Sequence, residues 1–138
     1  MVDDATASYI LATRKCFEDL RQVAAQIAGV LVLAEAGGKS ATPEHPMLKA
    51  AAELLREAVD QVRSTPPTAA AHLHHEFLSQ AGQSLALALA AAGRQIETTA
   101  ILPPVREAYR YLGRASNALP GFPMVAFEQA CCAVHVHS

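Results

Sequence analysis

The 138-residue chain is predicted to be all-α, a four-helix up-down bundle with a short additional C-terminal helix. Three observations predict this. Apolar residues recur three and four positions apart, the spacing that places them on one face of a helix. Proline and glycine pairs at Gly37-Gly38, Pro66-Pro67, Pro103-Pro104 and Pro120-Gly121 cut that pattern into four long stretches. No segment sustains the every-second-residue alternation of a strand. The length suits one domain, residues 1–138, and 51% hydrophobic against 17% charged residues excludes a disordered chain. Much of the apolar content is alanine, so the core is expected to bring helix backbones close together.

Helix one is expected from Asp4 to Ala36. Ile10, Phe17, Leu20, Ala24, Ile27, Leu31 and Ala34 form its stripe, with Thr13 in a polar slot. Cys16, Val23 and Val30 widen one flank. Asp3 or Asp4 caps the first turn, and Gly37 ends the helix. At 1.5 Å per residue it is roughly 50 Å long, unusual for a compact domain and suited to a dimer contact. Thr42-Pro43 or Pro46 opens helix two, whose inner residues are Met47, Leu48, Ala51, Leu55, Ala58, Val59 and Val62. Its outer face allows i,i+3 pairs between Glu53 and Arg56 and between Asp60 and Arg63.

Thr68 is expected to cap helix three, from Ala69 to about Ala92, with Leu73, Phe77, Ala81, Leu85, Ala88 and Leu89 facing inward. Gly82 interrupts this stripe and marks a close crossing. Residues 94–100 fit either helix or loop. Pro103-Pro104 opens helix four, with Val105, Ala108, Leu112, Ala115 and Leu119 inside. Pro123 starts the short last helix, through about Val134.

Charge and cysteines narrow the function classes. The net charge of -2 lacks the basic excess that phosphate neutralisation demands, so no nucleic-acid partner is expected. Three cysteines without regular spacing do not describe a disulfide framework. The acidic N-terminus lacks the basic start of a signal peptide. The apolar stretches at Ile27 to Ala36 and Leu85 to Ala92 are too short to span a bilayer. The expectation is a cytoplasmic protein, with no membrane partner and with reduced thiols. There is no phosphate-binding loop, G-x-S-x-G, H-E-x-x-H or C-x-x-C.

Three groups of side chains could carry function. On helix three, His72 and Glu76 stand at i,i+4 and could chelate one metal ion. His75 in the same run is the position a histidine-phosphotransfer reading would use, although the basic flank of such sites is missing. Near the C-terminus, Cys131 and His135 (i,i+4) or Cys132 and His135 (i,i+3) offer thiolate and imidazole, which suit copper or zinc. Arg106, Arg110 and Arg114 form a basic stripe on helix four, beside Tyr109 and Tyr111, that could hold an acidic protein partner. Each group also has a plain reading as solvated surface or, for Cys131, as core. Cys16 reads as a buried structural thiol. The start of helix three and the exit from helix four are expected at opposite ends of the bundle, which separates the two metal-ligand groups within one chain.

The leading expectation is a non-enzymatic bundle that self-associates, as a homo-oligomer, or holds a partner on a helix face. The alternative is a metal-binding or thiol-redox protein using copper, zinc or iron.

Overall fold

The computed structural model describes residues 2–37, 45–94 and 98–124. Among them are helices α1 (Asp4–Gly37), α2 (Pro46–Ser64), α3 (His72–Gly93) and α4 (Thr98–Ala118), with one 3₁₀ turn (Ala69–Ala71) ahead of α3. No described residue is in a strand.

The helix ends follow local chemistry. Asp3 caps α1 through its Oδ1, which accepts the Thr6 amide at 2.7 Å. At α2 the cap is His45, whose Nδ1 accepts the Met47 amide at 3.1 Å, with Pro46 first in the helix. Pro43 lies outside the described residues. Thr68 does not cap α3 as expected. It precedes the 3₁₀ turn, and its hydroxyl bonds the Thr6 hydroxyl at 2.8 Å, joining the α2–α3 connection to the start of α1.

Helix α4 corrects a second expectation, because it begins five residues before Pro103 and keeps both prolines inside. The two prolines cannot donate to the carbonyls of Thr99 and Ala100. Both of those residues are exposed, so water can take the freed carbonyls, while Ile101 gains full burial.

All four helices share one core. Its largest fully buried members include Phe17, Leu20 and Ile27 of α1, Leu78 and Leu85 of α3, and Ile101 and Leu112 of α4. Between them sit alanines with no exposed surface, among them Ala24, Ala51, Ala81, Ala88, Ala108 and Ala115. The small residues let the backbones approach, and the large ones interdigitate around them. Gly82 of α3 faces α2, where an added Cβ would lie 3.1 Å from Val59 Cγ2. The expected close crossing is there.

Neighbouring helices run antiparallel, as the anchor contacts show. Met47, at the start of α2, lies against Gly29 near the end of α1. Thr68, after α2, meets Thr6 at the start of α1. The inner face of α3 also differs from expectation. His74, Leu78, Ala81, Leu85 and Ala88 are buried, whereas Leu73 is 60% exposed. The strict three-four repeat running through Leu78 passes through His74, not through Leu73 and Phe77.

Helix α1 is long and apolar enough, by length and composition, to cross a membrane. Counting uninterrupted apolar runs missed this, because single polar residues such as Gln26 break a run that a longer window averages over. Twelve of the buried residues belong to this same helix, so one side of it is core.

Candidate functional site

The chemistry-bearing side chains concentrate at one end of the bundle. Helix α1 begins there, α2 finishes, α3 begins and α4 finishes. After α4 the chain does not continue as helix through residues 119–124 but turns back along α1 as a strap. Gly121 makes the turn, with a φ of +95° that side chains with a Cβ rarely adopt. A Cβ there would also sit 3.2 Å from Arg14 Nη2 and 3.3 Å from Ile10 Cγ2. Arg21 Nη1 donates to the Pro123 carbonyl at 2.7 Å and to the Met124 carbonyl at 3.1 Å, fixing the strap to α1.

The turn drives Phe122 into the bundle. Its ring meets Phe17 edge-on, centroids 5.4 Å apart, and lies over the His74 imidazole at 4.0 Å. His74 has no exposed surface. Its Nδ1 shares a hydrogen bond of 2.9 Å with Tyr9 Oη, while its Nε2 is buried with no hydrogen-bond partner among the described residues. Burial, reinforced by neighbouring His75, lowers the His74 pKa from 6.5 to about 4, so the ring is neutral at pH 7. Burial likewise raises the Tyr9 phenol above its ordinary range, and it stays protonated. The pair is a neutral, enclosed hydrogen bond.

The other sites named from the sequence stand as follows. His72 Nε2 and Glu76 Oε2 are 3.9 Å apart on the outer surface, with side chains 72% and 50% exposed. No cluster of three or more metal-ligating side chains is present among the described residues. Cys131, Cys132 and His135 lie outside the described residues, as does the short helix expected beyond Pro123. His75 is half-buried, and its Nε2 donates to the Val62 carbonyl at 2.9 Å, which also accepts the Thr65 amide at 3.3 Å at the end of α2. That contact occupies one of its two ring nitrogens. On α4, Arg106 and Arg110 are exposed, Arg110 pairs with Glu107 at 3.2 Å, and the Arg114 guanidinium sits 5.7 Å from the Tyr111 ring centre. Glu53 and Arg56 approach to 3.9 Å, whereas Asp60 and Arg63 form no ion pair. Cys16 is buried, and burial with nearby Asp19 pushes its thiol up to about 11. It is therefore a protonated packing group.

One geometric expectation is reversed. The start of α3 and the exit from α4 lie at the same end, since Phe122 stacks on His74. In an alternating bundle the fourth helix returns to the end where the third began. From there the chain runs along α1, from Ile10 and Arg14 at Gly121 to Arg21 at Met124, while His72 and Glu76 stand on the outer face of α3.

His74 is the residue that the sequence reading passed over. Its signal was present, because positions 71, 74, 78, 81, 85 and 88 form an unbroken three-four repeat. A polar residue inside such a repeat reads as buried.

Compared with known proteins, the chain matches no family, no curated protein and no solved structure.

Proposed function

We propose that this chain is a non-enzymatic helical-bundle protein that acts by self-association, with a second copy docking on the outer face of α1. The observation that carries the reading is an apolar surface near the C-terminal end of that helix. At 100° per residue, Ala25, Gly29, Val32, Leu33 and Ala36 share one side of α1. Val32 is 67% and Leu33 60% exposed, Met47 of α2 borders them, and none of these positions bears a charge. Helix α1 has 34 residues against 19–22 in the other three, so its end reaches past them. Exposed apolar surface of this kind marks a contact, and an uncharged stripe is compatible with its own copy in a two-fold pair. Among the described residues, His74 and Tyr9 are enclosed and Cys16 is a protonated thiol. The cytoplasm is the compartment that fits cysteines without disulfide spacing. The short C-terminal helix, expected from Pro123 to about Val134, belongs to this reading too.

Sedimentation equilibrium tests the proposal. The wild type is expected to be dimeric at about 100 μM, and Val32→Glu with Leu33→Glu monomeric, with unchanged helical circular dichroism. A monomeric wild type at that concentration would overturn it.

A metal-binding reading is favoured by one observation, the exit of α4 beside the start of α3. It would draw copper, zinc or iron to His72 and Glu76, to Cys131, Cys132 and His135, or to both groups together. Elemental mass spectrometry of the untagged protein is expected, on this reading, to find near-stoichiometric metal that falls in Cys131→Ser, Cys132→Ser. Absence of metal after reconstitution would remove it. The arginine stripe gives a third surface, for an acidic partner, but Arg110 already has Glu107 at 3.2 Å.

A further inference from the structure

The cleft between α2 and α3 shows a feature that self-association does not use, and we propose that it binds a small carboxylate with an apolar tail. It is a pocket of about 140 Å³. Its floor is Leu20 of α1 and Leu78 of α3, both fully buried, and its α2 wall is Val59 and Val62. The cleft exists because α3 presents small residues here. Gly82 lets α3 approach Val59 closely, and the exposed Ala86 leaves the rim above it open. A dry cavity of roughly 150 Å³ admits one benzene ring, so this one takes a tail of that size.

The rim decides the class of ligand. Arg63, from the last turn of α2, is at the edge of the pocket, and no described carboxylate lies within ion-pair distance of it. Asp60, its expected partner, leaves it free. Gln83 adds a side-chain amide donor, while the Ser79 hydroxyl is already donated to the His75 carbonyl at 3.0 Å. No Asp or Glu lines this pocket. The contrast is with the cleft between α1 and α2, where Asp19 and Glu57 stand among the lining residues and Lys15 is tied to Asp19 at 2.7 Å. Of these two clefts, the α2–α3 pocket combines an apolar floor with a guanidinium that no described carboxylate pairs, and a guanidinium holds a carboxylate by two charge-assisted hydrogen bonds. Few polar groups over an apolar interior is also the usual make-up of a small-molecule site.

The test uses benzoate and its neutral isostere benzamide, followed by methyl NMR of the full chain. Benzoate is expected to shift the methyl signals of Val59, Val62 and Leu78 with a Kd on the order of 1 mM, as befits nine heavy atoms. Arg63→Gln is expected to weaken benzoate about tenfold and to leave benzamide unchanged. Ala86→Phe, at an exposed position on the rim, is expected to abolish both shifts while the circular dichroism stays helical. Two results would overturn the proposal. One is methyl signals that do not move in ~20 mM benzoate. The other is benzamide binding as tightly as benzoate with neither affected by Arg63→Gln.

Discussion

Acidification from pH 6.5 to pH 4 is expected to remove roughly 3 kcal/mol of stability, chiefly through His74. The folded chain holds this ring neutral, with a pKa lowered from 6.5 to about 4, because burial disfavours the imidazolium. The unfolded chain binds the proton at the ordinary value. A lowered folded pKa means that the full stability is present above about pH 6.5 and is lost as the pH falls towards 4. The groups packed against the ring cannot offset the loss. Tyr9 stays protonated, Phe17 and Phe122 are apolar, and His75 adds repulsion when charged. Arg14 and Arg21, near the strap, are cations already. Among the carboxylates, Asp3 has a pKa lowered below 3.8 by its contacts with Thr6, so its contribution disappears only below this window. Urea denaturation at half-unit pH steps measures the effect. The double change Tyr9→Phe, His74→Phe is expected to flatten the curve, since it removes both partners of the buried hydrogen bond together and leaves neither unsatisfied. Parallel curves for wild type and variant would refute the assignment to His74.

Phe122→Ala is expected to cost about 3 kcal/mol, the usual scale for emptying a buried aromatic position. The side chain is 2% exposed and fills the space between Phe17 and His74, so its loss opens a hole at the end of the core. It also uncovers His74. The variant's stability is therefore expected to vary less between pH 6.5 and pH 4 than that of the wild type, since a wetter imidazole moves back towards 6.5. The two effects are separable: the first appears at pH 7.5, the second as a changed slope. A variant that loses stability at pH 7.5 but keeps the wild-type slope would show that the strap packs without controlling the hydration of His74.

Much of the framework was legible in the sequence because helical periodicity is a local property. The inner residues of α1 from Ile10 to Leu31, and those of α4 from Val105 to Leu119, are buried as their spacing predicted. Glycine and proline located the helix ends to within a few residues, except at α4, where burial of Ile101 outweighed two missing backbone hydrogen bonds. The candidate site was far less legible. The cluster of histidines drew attention to His72 and Glu76, because chelation is read from i,i+4 spacing. Spacing alone does not say which side of the helix faces inward. When Leu73 and Phe77 compete with His74 and Leu78, hydrophobicity favours the first pair, and the structure buries the second more deeply.

The sequence by itself determined that this chain forms four helices with apolar faces, because those faces are written in neighbours three and four residues apart. It also determined that Cys16 is a core thiol, from its place beside the α1 stripe. Tertiary structure decided three things. It brought the exit of α4 to the start of α3, set Phe122 on His74 across a positive-φ turn at Gly121, and left Arg63 without a described carboxylate partner at the edge of a pocket floored by Leu20. Each joins residues far apart in the chain. Their relation depends on how the helices are aligned and rotated against one another, and that is set by the packing of all four together.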